Sequence, residues 1–324
     1  MSRVRYAGFG EEKTYGTAVD ATFHVDIASA TLDVPSGSKI EYPGGLSRGR
    51  LYSRQGFYSP SGNVEFAFDV NNIAPILKWA LGGYYFRSGA ASVPNKHEIY
   101  AVDNFELPSF TTRIGKDMFE HVFSGCIIDS LSITVDNEYC IVSIDIASKK
   151  DENKAIKSVG DLLISEKYPL VFHEVTVSRS NNDFKTKVKK MTLTINNNAN
   201  ADSGKRIGEI NPVNIPVGRR EVNLDLDLFY EDITELTRFW NDTEDTITIT
   251  FDGGSFEEIK ITLPKVITAE VSTQPSGADE IVQTVKCHAY IDEKTLENPT
   301  STTVVNTEIH VMISNQETEI KKPT

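Results

Sequence analysis

Cysteine is nearly missing from this 324-residue chain, and the little there is carries no pattern. Cys126, Cys140 and Cys287 are odd in number and lack metal-ligand spacing. They predict reduced thiols in a cytosolic fold, not a disulfide framework. Histidine is scattered: no two of His24, His97, His121, His173, His288 and His310 stand at i, i+4 or at strand i, i+2, the spacings that build a metal site. No apolar run reaches membrane-spanning length, since the most apolar stretch, residues 73–86, is broken by Lys78. The opening MSRVRYAGFGEEKTYGT has no apolar h-region and predicts no secretory signal. Positive charge is in deficit, with 33 Lys and Arg against 46 Asp and Glu, net −13. Such a chain has no global attraction to nucleic acid or to an anionic membrane. The deficit is uneven: residues 1–160 hold 16 basic and 19 acidic side chains, residues 161–324 hold 17 and 27. There is no P-loop, GxSxG elbow, HExxH or EF-hand spacing. Asp225 and Asp227 alternate with an aliphatic face, so they read as a solvated strand surface and not as an acid–base pair. The expectation is a binding or structural protein, not an enzyme, without cofactor or metal.

What is present is alternation with period two. Residues 64–70 (VEFAFDV), 129–135 (DSLSITV), 140–146 (CIVSIDI), 191–195 (MTLTI), 221–229 (EVNLDLDLF), 246–251 (TITITF) and 258–263 (EIKITL) read as antiparallel strands, and the fold class is mainly β. Asp136-Asn137-Glu138 marks a hairpin between two of them. Two stretches read as helices. In 71–81, Ile73, Ile76, Leu77 and Ala80 share a face, with Asn72 as N-cap and Gly82-Gly83 as the stop. In 231–242, Ile233, Leu236, Phe239 and Trp240 form the stripe.

The two helices follow similar strands. At an offset of 160, Val64 falls on Leu224, Ile73 on Ile233, Ile76 on Leu236 and Trp79 on Phe239; upstream, Leu32-Asp33-Val34 falls on Leu193-Thr194-Ile195 at 161. The order strand, long loop, strand, helix, strands occurs twice, which predicts a tandem duplication. The long loops, 35–61 and 196–218, exceed what a compact domain normally tolerates without function. The first carries Lys39, Arg48, Arg50 and Arg54 with Tyr42, Tyr52, Phe57 and Tyr58. Arginine among aromatics is interface composition.

The run GFGEEKTYGTAVDATFHVDIASATLD (8–33) resembles the opening of tailed-phage tail tube proteins, which often begin Gly-x-Glu-x-x-Tyr-Gly-Thr followed by a Phe; here the residues are Gly10, Glu12, Tyr15, Gly16, Thr17 and Phe23. The resemblance continues through 59–84, a strand running into a helix that closes on Leu-Gly-Gly, through 110–150 and through 218–240. It implies two tandem β-sandwich or half-barrel domains, each with one flanking α-helix: 1–160 with an N-terminal arm, and 161–324 with a polar tail. It implies a structural virion protein of the tail, assembled in the host cytoplasm, whose rings stack into the hollow tube through which DNA is ejected. The partners would be further copies of itself, tail terminator, baseplate or tip and tape-measure proteins, and a sheath protein if the tail contracts. DNA passes without specific binding. The family's usual ring has six tube domains, so two per chain imply three chains with pseudo-sixfold symmetry, six chains being the alternative. The inner tube of a contractile injection or secretion system shares the fold. A carbohydrate-binding or adhesion module fits less well, because both tryptophans fall on predicted core helices.

In such a tube the polar strand set would line the lumen: Asp33, Glu65, Asp69, Thr192, Thr194, Asn223, Asp225 and Asp227. A register error of one residue would invert that face. Lys39, Tyr42, Arg48, Arg50, Tyr52, Arg54, Phe57 and Tyr58 would form the inter-ring loop, with Glu12 and Tyr15 as contacts of the N-terminal arm.

Overall fold

A computed structural model describes residues 5–34, 39–41, 49, 52–89, 93–180, 182–184, 187–273, 281–297 and 303–317. The chain begins with β1 (Arg5–Glu11), β2 (Phe23–Val25), β3 (Ser29–Ala30), β4 (Lys39–Glu41), β5 (Ser53–Gln55) and β6 (Ser61–Ala67). Helix α1 (Ile73–Leu81) leads into β7 (Gly82–Arg87), β8 (Asn95–Ala101), β9 (Phe110–Lys116), β10 (Phe119–Val135), β11 (Ile141–Ala147) and β12 (Lys150–Ala155). Then come β13 (Val175–Arg179), β14 (Asn182–Asp183), β15 (Val188–Asn196) and β16 (Glu221–Phe229). Helix α2 (Thr234–Trp240) precedes β17 (Glu244–Asp252), β18 (Glu258–Thr273) and β19 (Val282–Tyr290). The last strands are β20 (Asp292–Thr295), β21 (Val304–Thr307) and β22 (His310–Asn315).

Eight strands pair side by side in the order β3–β6–β11–β10–β15–β16–β19–β18, every ladder antiparallel. Alternation gives this wide sheet one apolar face: Val64, Phe66, Leu131, Ile133, Val142, Ile144, Leu193, Leu224 and Leu226 are buried. Two further layers cover that face. One is β2–β1–β9–β10–β12, using the first part of β10 (Phe119–Cys126). The other is β14–β13–β17–β18–β22–β8–β7, using the first part of β18. The two longest strands therefore cross from one layer to another. One buried cluster takes residues from both sides of position 160, from Ala7 to Ile313.

Helix α1 is buried on all sides except at Lys78, which pairs with Glu11 at 2.6 Å. Trp79 stacks on Phe110 with ring centres 4.6 Å apart. Gly82, at φ 86°, ends the helix in a conformation that favours glycine. The expected N-cap, Asn72, makes no capping bond with its side chain. Asp69 does that work, accepting from Asn71 N at 2.8 Å and Asn72 N at 3.1 Å.

Helix α2 departs from expectation. Glu235 is buried and Trp240 is 66% exposed, with Ile233 also exposed. Polar bonds set this rotation. Arg179 of β13 pairs with Glu235, reaches Asp245 at 3.0 Å and donates to Thr268 at 3.0 Å, while Arg238 pairs with Asp245. Burying this ionic network turns Ile233, Phe239 and Trp240 outward and leaves Leu236 half-buried, so Trp240 is not a core residue.

Candidate functional site

The polar face of the wide sheet is the most extensive shared feature of the expected site residues. Residues directly opposite in a ladder share a face, so the pairings trace rows across it. One row runs Ser29, Glu65, Ser143, Ser132, Thr194, Asn223, His288. A second runs Thr134, Thr192, Asp225, Lys286, Glu270. A third runs Asn63, Asp145, Ser130, Asn196, Glu221. Asp227 lies between Lys190 and Thr284, whose hydroxyl donates to it at 2.8 Å.

The face is cross-linked by its own side chains. Asn63 Nδ2 bonds Ser143 at 2.7 Å and Asp145 at 2.9 Å, Ser130 donates to Asp145 at 2.6 Å, and Lys286 pairs with Glu270 at 2.8 Å. His288 Nδ1 lies 2.5 Å from Asn223 Oδ1. Partial burial pushes the Asp225 carboxyl up, helped by the like charges of Asp227 and Glu270 and opposed by Lys286 and His288. Glu65, Asp145, Glu221, Asp225, Asp227 and Glu270 outnumber Lys190 and Lys286 across these rows. The surface can therefore repel anions while holding water on hydroxyls and amides.

Six of the eight expected residues lie on this face: Glu65, Thr192, Thr194, Asn223, Asp225 and Asp227. Two do not. Asp69 is buried, because its carboxylate is spent capping α1. Asp33 turns to the covering layer, 3.1 Å from Lys116 and 3.7 Å from His121. Asp145, Glu270, Lys286 and His288 were not anticipated; the parity of their strands held the signal, but only the pairing order puts them in the same rows.

The expected loop residues divide. Lys39, Tyr52 and Arg54 are exposed on the β4–β5 hairpin. Phe57 and Tyr58 pack at its root: Lys205 Nζ sits 4.4 Å from the Phe57 ring, Tyr58 N donates to Ile210 O at 2.8 Å, and the Tyr58 hydroxyl donates to Asp151. The two long loops therefore touch one another. Tyr42, Arg48 and Arg50 lie outside the described residues. Glu12 is buried within its own chain, accepting from Gly16 N, Ser109 Oγ, Thr111 Oγ1 and Gly125 N at 2.8–2.9 Å. Tyr15 lies under Lys149, with the ammonium 5.1 Å from the ring centre. These contacts pin the N-terminal segment to β9 and β10. All three cysteines are buried and unpaired.

No curated protein matches the chain. The family model described as phage tail tube protein matches residues 2–289, most of the chain. With a mainly β architecture and a broad polar sheet face behind that match, the chain belongs to the phage tail tube protein family.

Proposed function

We propose that copies of this chain join edge to edge into closed rings, that the rings stack into the tail tube, and that the polar face of the wide sheet lines the channel through which DNA leaves. The observation that carries this reading is the pair of open edges. Among the described residues, β3 pairs only with β6, and β18 beyond Thr268 pairs only with β19. Eight strands in strict antiparallel alternation give these two edges opposite directions. The β3 edge of one copy therefore fits the β18 edge of the next as an antiparallel ladder, and ring closure removes edges that would otherwise aggregate. Helix α2 lies against β18, and its exposed Ile233 and Trp240 are apolar area for a neighbouring copy to cover.

Two halves related by duplication, 1–160 and 161–324, complete the reading, with three chains to a ring. In its support, β1 pairs β9 as β13 pairs β17, and β6 pairs β11 as β16 pairs β19. Both long strands carry a bulge, between Ile128 and Ser130 and between Thr268 and Glu270. Val64 faces Ala30 and Leu224 faces Leu193, so with Val64 on Leu224 the upstream offset becomes 163, not 161. The shift of two preserves the face. The β7–β8 hairpin has no counterpart after α2, and this leaves the α2 stripe uncovered.

Phosphate affinity comes from Lys and Arg, so an acidic and amide-rich lining lets DNA slide without adhering. Negative-stain microscopy of the purified chain tests the reading. Hollow rings or tubes are expected; a protein that stays monomeric at all concentrations contradicts it.

A further inference from the structure

The wide sheet has two unlike ends. At one, Asp33 faces Ser61 and Asn196 faces Glu221, and both long loops depart there. The β4–β5 hairpin on the first loop exposes Arg54 and Ile40, which face one another across its ladder, Lys39 on its other face, and Tyr52 beside β5; Ile40 and Tyr52 are 65% and 67% exposed. At the opposite end, Ala67 faces Ile141 and Val135 faces Met191.

The connector between β12 and β13 lies across that opposite end. Leu170 N donates to Phe68 O at 2.9 Å, Tyr139 bridges to Val171, and Phe172 N donates to Glu138 O at 3.1 Å. The result is a surface on which Tyr139, Tyr168 and Phe172 are exposed, Tyr168 by 93%. Several acids nearby are already neutralised: Lys187 pairs with Glu231 and Asp232, Lys190 with Asp136, and Lys167 with Glu257. Glu138 and Glu166 are exposed and have no ion-pair partner among the described residues.

We propose that Glu138, Tyr139, Glu166, Tyr168 and Phe172 form the receptor for the β4–β5 hairpin of a second copy, in the ring stacked next to it. This deepens the tube reading and rests on it. Lys39 and Arg54 answer the two unpaired glutamates, and Ile40 and Tyr52 answer the three aromatics, which is the pairing of charge and apolar anchors found at specific interfaces. Hairpin and receptor lie at opposite ends of one sheet, so the contact is heterologous and does not close on itself. Such a contact propagates as an open stack.

Reversal of charge on each side tests the pairing. Lys39→Glu with Arg54→Glu should leave rings intact and abolish tubes, and Glu138→Lys with Glu166→Lys should do the same. The chain carrying all four substitutions should regain tubes. Tubes of ordinary length from either reversed pair, or no recovery in the fourfold variant, would overturn the assignment. Failure of the unaltered chain to form even rings would overturn the tube reading itself, so the two failures are distinguishable.

Discussion

Leu131 of β10 faces Ile195 of β15 across the ladder that joins the first half of the chain to the second, and both side chains are fully buried. The seam within the chain is thus an ordinary sheet ladder over a continuous core. Ile195→Ala should cost about 2–5 kcal/mol through lost burial and the cavity left behind. Urea denaturation of the unassembled chain measures it. A cost under about 0.5 kcal/mol would mean that the two halves do not depend on this seam.

Arg179 is a buried cation serving two carboxylates, those of Glu235 and Asp245. Arg179→Met should destabilise by about 3–5 kcal/mol, because Glu235 loses its close partner in the interior and keeps only Arg238, 3.7 Å away. Adding Glu235→Met should recover most of that loss, since an apolar pair can replace a buried ion pair at little cost. Thermal unfolding of the single and double variants reads out both effects.

His24 gives the fold an acid-sensitive limb. Burial, with the charges of Lys157 and Arg113, lowers its pKa from 6.5 to about 4. Its Nδ1 accepts from Leu163 N at 3.0 Å, which places the proton of the neutral ring on the buried Nε2. The unfolded chain takes up a proton below about pH 6.5 and the folded chain does not until about pH 4. Stability from this group is therefore full above 6.5 and lost as pH falls towards 4, by about 3 kcal/mol. His24→Gln should flatten the pH dependence of unfolding across that window. An unchanged slope would place the sensitivity elsewhere.

Asp225 is exposed and Asp227 half-buried on the polar face. Changing both to Lys should leave ring and tube assembly intact and slow DNA ejection, because each added cation gains affinity for phosphate. Dye-based ejection kinetics from particles carrying the variant test this. Unchanged kinetics would remove this face from the channel.

Much of this was legible in the sequence where one face of a strand is dry and the other wet. In β16, Leu224, Leu226 and Leu228 alternate with Asp225 and Asp227, and the ladder keeps that parity. The same logic failed where both faces are covered. β9 and the first part of β10 are buried almost throughout, and Arg113 pairs there with Glu120 at 2.7 Å. A buried ion pair in a strand leaves no alternation to read. Asp69 continues the alternation of β6 by parity, but β6 ends at Ala67 and the Asp69 carboxylate caps the helix that starts at Ile73. Trp240 was misplaced for a related reason: an apolar stripe marks a helix but does not reveal that Glu235 and Arg238 have a buried partner network on the other side.

The central claim is that one chain supplies two units of the ring. It is tested most directly by counting chains in an isolated ring, by native mass spectrometry or from the symmetry of an electron cryo-microscopy reconstruction. Three chains are expected, with the eight-strand sheet of each continuing into the next from β18 to β3. Six chains per ring would contradict the account.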